Sequence, residues 1–120
     1  MFTIATGTTT GAFAGTVTAL RGYGSTDTDT SNTGSITLDF SADQNFVLTL
    51  TGNVTLANPS TEAVGQSGFI AFIQDGTGSR TISFNAVYKF PSGSVPSAST
   101  SIGAVDIMVY SARSGTVVDA

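Results

Sequence analysis

Residues 65–84, GQSGFIAFIQDGTGSRTISF, carry the reading on which the fold turns. A continuous apolar run, Phe69 to Ile73, leads into QDGTGSR and then into a second, alternating run, TISF. Glycine-rich loops can cradle phosphate, so the loop has two competing readings. A Walker loop needs G-x-x-x-x-G-K-[ST] opening a helix, and here no lysine follows Gly78 and the next residues alternate like a strand. A dinucleotide fingerprint needs glycine three positions beyond Gly78, where Thr81 stands. Asp75, Gly76 and Gly78 suit the positive-φ positions of a tight turn. The stretch predicts two β-strands joined as a hairpin.

The same pattern spreads to both sides. SITLDF puts Ile36, Leu38 and Phe40 on one face, and NFVLTLT does so with Phe46, Leu48 and Leu50. The polar SADQ between them, residues 41–44, predicts a four-residue hairpin loop. GNVTLANP adds Val54 and Leu56, with a turn at Gly52-Asn53 and a stop at Pro59. Downstream, RTISF, a loop over YKFPSGSVPSAST, AVDIMVYSA and GTVVDA complete about eight short strands at turn-punctuated intervals. No apolar period of 3.6 runs long enough for a helix. The expected fold is all-β, an antiparallel sandwich of jelly-roll character over residues 34–120, preceded by an extended arm over residues 1–33.

Composition agrees with that class. Charged residues make up 10% of the 120, far below the usual ~25%. Serine and threonine reach roughly 29%, and there are 14 glycines. Good helix formers are scarce while Thr, Val, Ile and Phe abound. The net charge is −4, and the four basic residues, Arg21, Arg80, Lys89 and Arg113, stand singly. Nucleic-acid binding through clustered cations is therefore not expected. No run approaches the ~18 to 20 apolar residues of a membrane span, and the amino-terminal residues lack a secretory pattern.

Chemistry is sparse. There is no histidine and no cysteine, which excludes Ser-His-Asp and Cys-His nucleophilic catalysis and zinc sites built on those ligands. No cofactor and no metal is expected, and the chain reads as non-enzymatic. A carboxylate pair among Asp39, Asp43, Glu62, Asp75 and Asp106 is conceivable, but Asp39 and Asp43 lie at a predicted turn that accounts for them. Asp27 to Asn32, DTDTSN, starts like a calcium loop, yet the sixth and twelfth places hold Asn32 and Leu38 in place of glycine and glutamate. It reads as a solvated linker. Asn53 matches a glycosylation acceptor but reads as a turn residue.

Residues 1–33 are low in large apolar side chains and read either as a solvated tail or as an arm ordered on a neighbouring subunit. Phe2, Ile4 and Phe13 are the arm's candidate contacts. YKFP gathers Tyr88, Lys89 and Phe90 ahead of Pro91, as a cap on the core or as a surface anchor for a partner. Arg80 and Arg113 are candidates for pairs between subunits or for simple solvation.

Taken in order, G-N-x-T-L at Gly52 to Leu56, G-x-x-G-x-[IV]-x-[IV]-x-Q-D-G-T-G-x-R-T-[IL] at Gly65 to Ile82, Y-K-F-P at Tyr88 to Pro91 and A-V-D-x-[ILM]-x-Y at Ala104 to Tyr110 resemble a module of tailed-bacteriophage virion proteins. The resemblance covers residues 34–119. With its arm and compact body, the chain also resembles in plan the small head decoration, or cement, proteins. That resemblance implies a homotrimer on the outer capsid surface, made in the host cytoplasm. Its partners would be the major capsid protein and copies of itself, with no nucleic acid and no membrane. The alternative it implies is a tail-fibre or tail-tip module that attaches to the host surface.

Overall fold

The computed structural model describes residues 14–16, 18 and 20–120. Seven strands form one curled, mixed sheet: β1 (Thr26–Ile36), β2 (Asn45–Leu56), β3 (Ser67–Gln74), β4 (Ile82–Phe84), β5 (Tyr88–Lys89), β6 (Val105–Ser114) and β7 (Val117–Asp119). The strand order is β1-β2-β3-β6-β7-β5, with β4 also on β2. The chain is all-β, as its composition predicts. A single 3-10 turn at Pro91–Gly93 is the only helical element among the described residues.

Strand direction differs from the expected hairpins. β1 and β2 are parallel, and so are β2 and β3. SADQ is therefore no hairpin loop. It belongs to a crossover, residues 37–44, that carries the chain back over the core between parallel strands. The alternation of Ile36, Leu38 and Phe40 is real, since Leu38 and Phe40 are buried, but it records packing against the core rather than membership of a ladder. Phe40 meets Phe46 and Tyr110 edge-on, each at 5.1 Å between ring centres. The second crossover, residues 57–66, lies beside the first. The Phe40 amide donates to Thr61 Oγ1 at 2.8 Å, and Gln66 Nε2 donates to the carbonyls of Phe40 and Asp43 at 3.0 and 3.2 Å. The first crossover thus seats Leu38 and Phe40 in the core, and the second is bonded to it.

QDGTGSR is not a hairpin either. β4 runs parallel to β2, as β3 does, and takes up the ladder farther along the same edge of β2. β3 pairs with Phe46 to Leu50, and β4 with Val54 to Leu56. The loop is an outward excursion between two collinear pieces of one strand row.

β2 is continuous through Gly52-Asn53, which overturns the turn expected there. Phe46, Leu48, Leu50, Val54 and Leu56 keep one phase and are all buried. They face Ile70 and Phe72 of β3, Tyr110 and Ala112 of β6, Tyr88 and Val118. Asn53 does not serve a turn. Its side-chain oxygen accepts the Thr81 amide at 3.1 Å and so pins β4 to β2.

β1 runs unbroken across residues 33 and 34. Asp27 to Asn32 is thus a strand rather than a linker or an ion-binding loop. Backbone pairing does not require apolar side chains, and only Asn32 in β1 is buried. Its Nδ2 donates to the carbonyls of Asp29 and Thr49, both at 3.1 Å, at the point where the β1 register shifts.

Candidate functional site

The three motifs that stand apart in the sequence meet in space. Gln74, at the end of β3, is buried, and its Nε2 donates to the carbonyls of Arg80 and Ser99 at 2.9 and 2.8 Å. Its Oε1 accepts the Arg80 amide at 3.0 Å. One side chain thereby closes the base of QDGTGSR and ties it to the loop after YKFP. Asp106, in the AVD motif, holds the same loop: its carboxylate accepts the Ser99 amide at 2.8 Å and the Ser99 hydroxyl at 2.9 Å. The Ser79 amide donates to the Thr100 carbonyl at 2.7 Å. Gly78, at φ +69°, lies so close that a Cβ there would stand 2.8 Å from that same carbonyl oxygen.

Within the loop Asp75 is the hub. Its Oδ1 accepts the Thr77 and Gly78 amides at 3.0 and 2.9 Å, and its Oδ2 pairs with Arg80 Nη2 at 2.8 Å. The hydrogen bond from the Arg80 guanidinium is the main reason the Asp75 carboxyl is lowered to about 2. Arg113 pairs with Asp119 at 2.7 Å across the β6–β7 hairpin. Both arginines considered as links between subunits therefore have partners within their own chain.

The loop after YKFP borders an open cavity of about 590 Å³. Its floor and walls include Phe72, Ile82, Phe84, Phe90, Pro91 and Met108. Phe84 is the centre of an edge-on aromatic cluster, 4.9 Å from Phe90, 5.7 Å from Tyr88 and 6.2 Å from Phe72. The volume suits a ligand or a partner's side chains, but Asp106, an acidic residue of the lining, is already engaged by Ser99. Ser79 and Ser92 have φ of 60° and 56°, a left-handed conformation that L-residues adopt at a cost of ~1–2 kcal/mol each. Each lies in a loop that belongs to this assembly.

The YKFP residues divide. Tyr88 is a core residue, 4% exposed; Lys89 is exposed; Phe90 packs on Phe84 at the cavity wall. Burial pushes the Tyr88 hydroxyl up, and the Glu62 carboxylate adds to that. Tyr88 OH and both Glu62 carboxylate oxygens are buried without a hydrogen-bond partner among the described residues. Phe2, Ile4 and Phe13 lie outside the described residues. The acidic residues form no cluster: among the described residues no group of three or more potential ligands could hold a metal ion. What sequence reasoning missed is the cavity. Its signal was the recurrence of Phe84, Phe90 and Met108 next to segments whose strand phase depends on distant partners.

A family model described as "Putative phage tail fibre C-terminal domain" matches residues 26–113. The chain belongs to that family. The match begins at the first residue of β1 and ends in β6, so this tail-fibre domain includes the Thr/Asp-rich strand. It makes the protein a structural component of a phage. No curated protein and no solved structure matches the chain.

Proposed function

We propose that this tail-fibre domain attaches the phage to its host by surface contact, without catalysing a reaction. The family match over residues 26–113 carries the reading, because it is to a tail-fibre domain. Nothing in that match favours the capsid-decoration role expected from the plan of the sequence. The geometry supports adhesion in a second way. Asp75 and Asp106, the acidic residues of the motifs, are engaged in holding loops, and the cavity beside Asp106 is mostly apolar. Such a site offers burial and shape rather than proton transfer.

Gold-labelled antibody raised against the full chain, applied to intact virions, tests the placement. Label at the tail is the expected result. Label spread over the head would overturn the tail-fibre reading and restore the decoration role.

A further inference from the structure

The chain has four basic residues, Arg21, Arg80, Lys89 and Arg113, and the fold treats the first unlike the rest. From Arg21 to Ser25 the backbone belongs to no strand or helix. Leu20 is fully exposed and Tyr23 is 91% exposed, and Arg21 and Gly22 between them are exposed as well. Among the described residues, hydrogen bonding begins only at Gly24, whose carbonyl accepts Asn45 Nδ2 at 3.4 Å. The Ser25 carbonyl then takes the Gln44 and Asn45 amides at 3.1 and 3.0 Å. Leu20 to Tyr23 thus lie immediately outside the first contacts that hold β1.

The other three basic residues are built into the domain. The Arg80 amide is bonded to Gln74 and its guanidinium to Asp75, and the amide of the next residue, Thr81, is bonded to Asn53. Lys89 is in β5, where its carbonyl accepts the Ala120 amide at 2.8 Å. Arg113 is in β6, with its guanidinium on Asp119 at 2.7 Å. A protease of trypsin specificity takes a basic side chain into an acidic pocket and pairs with the substrate backbone as with an extended strand. Backbone already engaged in a ladder or a tight loop can serve only after local opening. Exposed, unpaired backbone next to a cation meets both demands without it.

We propose that the Arg21–Gly22 bond is a processing site for a serine protease of trypsin specificity, which separates residues 1–21 from an intact domain. The reaction is hydrolysis. Water supplies oxygen to the Arg21 carbonyl carbon, the bond to the Gly22 nitrogen breaks, and a carboxylate and a new amino terminus result. The product begins at Gly22, keeps the contacts at Gly24 and Ser25, and contains all seven strands. It also contains the whole of the family match, residues 26–113. The site follows from the junction alone and does not depend on what the domain binds.

Treatment of the full chain with sparing amounts of trypsin, followed by mass spectrometry, tests this. Residues 1–20 contain no lysine or arginine, so the first product is unambiguous. A fragment beginning at Gly22 is expected to form first and to persist, with the unfolding midpoint of the uncut chain. First cleavage after Arg80, Lys89 or Arg113 overturns the proposal, as does a Gly22 fragment that is degraded as fast as it forms. Arg21→Gln changes an exposed side chain and should slow loss of the full-length chain at least about tenfold, because cleavage then waits on opening of the domain. An unchanged rate for that variant also overturns the proposal.

Discussion

Asp75 shows how one side chain can organise a loop that resembles a ligand cradle. Two backbone amides and a guanidinium converge on its carboxylate, leaving little acceptor capacity for anything outside the protein. Because its carboxyl is lowered to about 2 in the folded state, from an ordinary value of 3.8, the unfolded chain binds this proton more tightly. The stabilisation is present above about pH 4 and is lost as pH falls toward about 2. Asp75→Asn should therefore lower the unfolding temperature at neutral pH and flatten its decline between about pH 4 and about pH 2. Thermal unfolding over a pH series reads both effects, and parallel curves for the two proteins would contradict this role. Gln74 acts beside it without charge. It is buried and bonded to both loops, so its place in the motif is a matter of backbone satisfaction rather than of chemistry.

Among the elements, β3 lies tight against its neighbours at Gly68. At Gly68 a Cβ would run into the Gln44 carbonyl oxygen, 2.8 Å from Asn45 Oδ1 and 3.1 Å from the Tyr110 ring. Tyr110 in turn donates its hydroxyl to that same carbonyl at 2.5 Å. Three segments thus converge where β2 begins, and only glycine leaves room. Gly68→Ala should destabilise the fold by about 1–3 kcal/mol in urea unfolding. Gly76→Ala, which meets open space, should change it by less than about 0.5 kcal/mol. Equal effects would show that the close approach at Gly68 is not what limits β3. The elements also show why turn chemistry misled. SADQ and QDGTGSR have the residues of tight turns, and tight turns do occur within both segments: the Ala42 amide donates to the Asp39 carbonyl, and Asp75 accepts two amides of its own loop. Local turn geometry is compatible with a hairpin, a crossover or an excursion alike.

For the whole molecule, the edge of the domain matters most. β1 has almost no apolar face, yet it is the parallel partner of β2 along nearly its full length. A chain beginning at residue 34 loses that partner and exposes the edge of the strand that carries the centre of the core. It should lose cooperative unfolding by circular dichroism, whereas a chain beginning at residue 22 keeps β1 and should retain it. Cooperative unfolding of the shorter chain would show that β1 is dispensable. The boundary was hidden in the sequence because threonine and aspartate can pair through their backbones while remaining solvated, leaving no hydrophobic signal.

By itself, the sequence determined the all-β class, the absence of imidazole and thiol chemistry, and the phase of the strand that became β2. Each is a local property, set by residue type or by an alternation that can be counted along the chain. Only the tertiary structure decided that β1, β2 and β3 run parallel, that Leu38 and Phe40 cover the core from a crossover, and that β6 buries Met108 and Tyr110 more deeply than its Val105, Ile107 and Val109. Alternation tells which side chains share a face, but not which strand their backbone will meet or which face the core will occupy. Those choices follow from contacts between residues far apart in the chain, of which the hydrogen bond from Tyr110 to Gln44 is one.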